Sequence, residues 1–129
     1  MPRTYNARIT GLIVGVQPKW LDNLLSRYDL PGVARSRQGV ERRLTDDGIL
    51  AVELCRILNL ELGLSLAQSA TIASQCVRDV GAGELRHTTA SGLVVSLPLP
   101  VTRVRLRDRA MEAVDMVAAA RRGRPPRRR

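Results

Sequence analysis

The chain has no phenylalanine, one tryptophan and two tyrosines in 129 residues. Its core must therefore be aliphatic, and base stacking on aromatic rings, the common mode of single-stranded RNA recognition, has little to work with. There is a single histidine, His87, and two cysteines, Cys55 and Cys76, with no metal-ligand spacing between them. Two buried, reduced thiols are the expectation for an intracellular chain. A long apolar run and a signal-peptide pattern are both missing, which turns the reading away from a membrane and toward a cytoplasmic, nucleoid-associated protein. Also missing are a phosphate-binding Gly loop, a Ser/His/Asp set and a Cys/His pairing, so no enzyme, no cofactor, no metal and no small-molecule effector is expected. The acidic pair Asp46-Asp47 does not change this, since neighbours on a helix diverge by about 100° and fit capping better than metal binding.

What the chain has in abundance is arginine. Of its 21 basic residues only Lys19 is not arginine, and they outnumber 12 acidic residues for a formal charge of +9. The planar guanidinium fork favours bidentate phosphate and base-edge contacts, although a GC-rich genome would leave the same bias. The charge is segregated. Residues 1–44 carry eight basic and three acidic groups, residues 45–84 two and six, and residues 85–129 eleven and three. Two basic ends around an acidic middle suggest surfaces aimed at a polyanion, most simply double-stranded DNA.

The last nine residues concentrate this pattern, with six arginines and no acid in Arg121–Arg129. Within them Arg122-Gly123-Arg124-Pro125 combines a residue without a Cβ, which lets the backbone lie deep in a groove, with one that keeps it extended. The four residues resemble the core of an AT-hook, which implies a minor-groove contact in A·T tracts. The alternative is a solvated basic tail, and residues 122–129 are in either case expected to be disordered when free.

Hydrophobic spacing organises the rest. Residues 1–7 read as a short arm. Ile9, Leu12, Ile13 and Val16 recur at helical intervals, so a helix is expected from Ala7, ending in a short turn at Gly15-Val16. Pro18 then favours the first turn of a second helix, with Leu21, Leu24, Leu25 and Tyr28 as its apolar stripe, ended by Leu30-Pro31-Gly32. Residues 33–44 read as two short strands flanking a hairpin tip at Ser36-Arg37-Gln38-Gly39. Thr45-Asp46-Asp47 starts a third helix that ends near Gly63. Ser65-x-x-Gln68 has the capping-box pattern of a fourth, running to Gly81. Glu84–Thr89 and Leu93–Leu97 suggest a second hairpin, and Leu97-Pro98-Leu99-Pro100 a break. Residues 103–121 fit two periods: Val104 and Leu106 alternate with arginines as in a strand, while Met111, Val114 and Val117 suit a helix. A helix from about Thr102 to Arg122 is favoured.

Helix, short turn, helix, basic hairpin and helix is the order of a winged helix-turn-helix, in which the second helix enters the major groove. Residues 7–80 resemble the DNA-binding domain of the MerR family and its shorter excisionase-type relatives. The matching stretches are Thr10-Gly-Leu-Ile-Val-Gly-Val16, Lys19-Trp-Leu21 leading to Leu30-Pro31, Gly39-Val-Glu-Arg-Arg-Leu-Thr45, and Glu61-Leu-Gly-Leu-Ser-Leu66. Where family members commonly carry an Arg-Tyr pair after the residue matching Leu21, this chain has Asp22 and Asn23. The candidate DNA contacts are therefore Lys19, Trp20, Asn23 and Arg27 on the second helix, and Arg35, Arg37, Gln38, Arg42 and Arg43 on the wing. Arg122, Gly123, Arg124 and Pro125 add the tail. Trp20 suits either a groove contact or a core anchor.

The expected architecture is mainly α with small β-hairpins: a MerR-like winged helix-turn-helix over residues 1–83, a hairpin and helix over 84–121, and the tail. Leu93, Val95, Leu97, Met111, Val114 and Val117 are more apolar surface than so short an appendage can bury, so this second part is expected to supply homodimerisation. The expected function is sequence-specific DNA binding by a bacterial or mobile-element transcriptional regulator. A DNA-bending architectural factor, or a protein-interaction module such as an antitoxin or antiactivator, are the alternatives.

Overall fold

The computed structural model describes residues 3–34 and 41–122. It is mainly helical, with one small antiparallel hairpin among the described residues. Three helices begin on a side-chain oxygen supplied by the sequence. In α1 (Ala7–Val14), Asn6 Oδ1 accepts from the Ile9 amide at 2.8 Å. In α3 (Asp46–Arg56), Thr45 Oγ1 accepts from the Gly48 amide. In α4 (Leu66–Arg78), Ser65 Oγ accepts from the Gln68 amide at 3.1 Å, and the Gln68 side chain reaches back to the Ser65 hydroxyl. Each satisfies an amide that the first turn of a helix leaves without a partner.

Between α1 and α2 (Pro18–Arg27) the chain turns through Gly15, whose φ of 79° is left-handed and whose amide closes α1 on the Gly11 carbonyl at 2.8 Å. Pro18 stands in the first turn of α2, where its missing N–H costs nothing. The helix thus ends where the turn at Gly15-Val16 is expected. Leu12 also departs from expectation: it is 49% exposed, while Thr10 is buried and donates its hydroxyl to the Asn6 carbonyl at 2.8 Å.

Tyr5, in the expected N-terminal arm, belongs to the core. Tyr5 is buried and exchanges both backbone hydrogen bonds with Leu44, each at 2.8 Å. Leu44 also bridges Val33, and the Ala34 amide donates to the Arg43 carbonyl at 2.9 Å. These contacts form the base of the expected wing; its tip, residues 35–40, lies outside the described residues. Gly32 and Gly48 meet beneath it. A Cβ on Gly32, where φ is 78°, would collide with the Gly48 nitrogen, so the backbones approach only because both residues are glycine.

The third helix departs from a uniform α-helix. After Arg56 it widens into a π-helical turn over Ile57–Glu61, closed by the Leu62 amide on the Ile57 carbonyl. Such an insertion is invisible to a 3.6-residue period. Beyond α4, β1 (Glu84–Thr88) pairs with β2 (Val94–Pro98) in the register Leu85 to Leu97 and His87 to Val95. This is the second expected hairpin, with each strand boundary within a residue.

The last helix, α5, spans Leu99–Arg122 and begins three residues before the expected start. Leu97-Pro98-Leu99-Pro100 is not a break: Pro98 ends β2, and Pro100 falls in the first turn of α5, where no amide is needed. The alternation over 103–107 is helical in fact, with Leu106 inward and Val104 outward. α5 packs on α1 and α3. Its Leu106, Ala110 and Ala113 join Leu99 and Leu85 in the same buried cluster as Leu24, Leu50 and Leu54. One aliphatic core therefore runs across the boundary expected after residue 83.

Candidate nucleic-acid interface

On α2, Leu21, Leu24 and Leu25 face the core and are almost fully buried. At 100° per residue the opposite face carries Lys19, Asp22, Asn23, Ser26 and Arg27 together. Lys19, Asp22, Ser26 and Arg27 are exposed and Asn23 is half-buried. A shallow groove lies along this face, lined by Lys19, Trp20, Asp22, Asn23 and Ser26. Three of the four helix residues expected from sequence, Lys19, Asn23 and Arg27, are thus brought to one side of one element.

Trp20 sits at the edge of that face, and its indole turns toward the π-helical turn. Its Nε1–H donates to Asn59 Oδ1 at 3.0 Å, and Asn59 Nδ2 in turn donates to the Leu64 carbonyl at 2.8 Å. The ring packs against the core. Of the two roles open to Trp20, the anchor is the one with geometry behind it. Asn59 has no sequence signal beyond being a polar residue between Leu58 and Leu60.

Arg42 and Arg43, two of the arginines expected on a wing, are engaged within the fold. Arg42 Nη1 lies 3.2 Å from Asp22 Oδ1, joining the wing base to the middle of α2. The Arg43 guanidinium donates to both the hydroxyl and the carbonyl of Thr4, at 3.1 and 3.2 Å, with Glu41 nearby at 3.9 Å. Asp22, a charge that alone would repel phosphate, is paired where it stands. Between the end of α2 and the wing base is a cavity of about 300 Å³ bordered by Arg27, Tyr28, Val33 and Arg42. Arg35, Arg37 and Gln38 lie outside the described residues. So do Gly123, Arg124 and Pro125, whereas Arg122 is the last residue of α5 rather than the first of a tail.

The charge segregation in the sequence is in part internal. Arg103 of α5 pairs with Asp47 at the start of α3 at 2.8 Å. Arg105 pairs at 2.7 Å with Glu53, a carboxylate with no exposed surface that Arg56 holds from the other side. Burial works against the Arg56 charge, but its hydrogen bond to Glu53 and the proximity of Glu53 and Glu61 outweigh it and hold the pKa above its ordinary value. A signal for Glu53 does stand in the sequence, as one acid in the middle of the apolar run Ile49-Leu-Ala-Val-Glu-Leu-Cys55. Cys55 itself is buried, and burial pushes its thiol up to about 12, far from the range of a nucleophile.

No family model, no curated protein and no solved structure matches this chain.

Proposed function

We propose that this protein binds double-stranded DNA through α2 and the wing that follows it, as a winged helix-turn-helix of MerR-like type, and acts in transcriptional regulation. The observation that carries the reading is the face of α2. A helix held by three core leucines, and preceded by a tight glycine turn, offers Lys19, Asn23 and Arg27 on the side away from the core. Asn can read adenine in the major groove, while Lys19 and Arg27 suit phosphates. Arg42 beside Asp22 keeps the junction of helix and wing close to neutral instead of acidic. The tail, read as a minor-groove clamp, would add affinity by linkage to the same site.

The test is selection of bound sequences from a random duplex pool, followed by titration of the selected and a scrambled site. Asn23→Ala should lower the preference between the two more than it lowers binding to the scrambled site. Arg27→Ala should weaken both alike and reduce the salt slope by about one. A pool that emerges unenriched, with only salt-sensitive retention, favours an architectural protein; no retention at low salt removes the nucleic-acid reading altogether.

A further inference from the structure

Of the residues that suggested a dimer from sequence, only Leu93 and Met111 are exposed, at 62% and 57%. Leu97 and Val114 pack against the core of their own chain, and Val95 and Val117 are half-buried. A different face of α5 is left open. Val101 and Met116, at its two ends, are 66% and 62% exposed. Between them, on the same side of the helix, come Arg105, Asp108, Arg109 and Glu112. Two shallow grooves follow this face, one lined by Val101 and Arg105 and the other by Met116 and the exposed Leu12 of α1, and both are bordered by Arg109 and Glu112.

The order of these six side chains is a palindrome of chemistry. Laid antiparallel against a second copy, with a two-fold axis between positions 108 and 109, Asp108 meets the other copy's position 109, an arginine. Arg105 then meets position 112, a glutamate, and Val101 meets position 116, a methionine. Every contact repeats on the other side of the axis, so one alignment matches four charge pairs and two apolar pairs. A two-fold interface requires this kind of self-complementarity, and a stripe meant for a different partner has no reason to possess it. The charges are also available. Asp108, Arg109 and Glu112 make no ion pair among the described residues. Arg105 gives one nitrogen to Glu53 and remains 44% exposed.

From this we infer that the exposed face of α5 is a self-association surface, on which two copies pair their last helices antiparallel through Arg105, Asp108, Arg109 and Glu112. The inference does not depend on the DNA reading.

Two full-length variants test it, Asp108→Arg and Arg109→Asp, both at exposed positions, with circular dichroism as the check on folding. The native chain should have twice the 14.2 kDa mass of one chain by sedimentation equilibrium at tens of micromolar. Each variant alone sets like charges across the axis and should self-associate at least about tenfold more weakly. Mixed in equal amounts, the two variants set a pair of arginines on one copy against a pair of aspartates on the other, and should recover the dimer. The double exchange D108R/R109D should also recover it, which separates a charge effect from damage to the helix. A native chain that stays monomeric overturns the inference. So do single variants that dimerise like the native chain, or a mixture that shows no recovery.

Discussion

The indole N–H of Trp20 and the side-chain amide of Asn59 are joined at 3.0 Å across 39 positions of sequence. This bond ties α2 to the π-helical turn beyond α3. Replacing Asn59 with alanine leaves both the indole donor and the Leu64 carbonyl without a partner. A loss of about 1–3 kcal/mol is expected in urea titration. Trp20 is the only tryptophan, so its fluorescence reports the same transition without a label. A variant as stable as the native chain would mean that water takes over both groups.

The two ion pairs that fasten α5 to α3 should differ. Arg105→Met leaves the fully buried Glu53 with Arg56 alone, and about 1–3 kcal/mol of stability should be lost. That is below the cost of breaking a wholly buried pair, because Arg56 stays. Arg103→Met removes a pair whose members are both substantially exposed, and should cost under about 1 kcal/mol. Chemical denaturation of the two variants side by side checks the order.

Gly32→Ala should destabilise by about 2 kcal/mol or more. It combines a left-handed φ with a Cβ driven into the Gly48 backbone. Thermal melting measures this, and Gly15→Ala is the control. Gly15 has nearly the same φ but open space around it, so it should lose only the backbone part.

Cys55 sets a limit at alkaline pH. Its thiol is held at about 12 in the fold against an ordinary 9.0, so the unfolded chain ionises first. The stability that this provides is whole below pH 9 and is lost as the pH climbs through 12. In the native protein at about pH 8, an aromatic disulfide reagent should titrate the half-buried Cys76 and leave Cys55 untouched until urea is added. Two fast thiols in the native state would contradict the burial of Cys55.

Removing residues 123–129 should leave the melting temperature almost unchanged and lower DNA affinity more on a site with A·T flanks than on one with G·C flanks. Equal losses on both would make the segment a nonspecific polycation.

Much of the scaffold is legible in the sequence because its signals are local. Thr45 and Ser65 begin helices, and Ser65 with Gln68 forms the capping pattern that its spacing announces. The α2 stripe of Leu21, Leu24 and Leu25 is legible for the same reason, and with it the polar face that carries the candidate site. What stays hidden depends on partners far along the chain. Tyr5 reads as part of a loose arm because nothing near it announces Leu44. Arg42 and Arg43 read as free because Asp22 and Thr4 lie 20 and 39 positions away. In α5, alternating Val and Arg satisfies two periods at once, and burial against α1 and α3 decides between them.

The packing of α5 against α1 has a consequence for synthesis. Chains fold as they emerge, N-terminal parts first. Here the helix that covers α1 is made after α1–α4 and the hairpin, so the nascent chain cannot seal this core early. Until α5 arrives, Ile13 and Leu50 lack part of their cover, and Glu53 has only Arg56 to answer it. The interval between the synthesis of α1 and the arrival of α5 is therefore when this core is most open to chaperones and proteases.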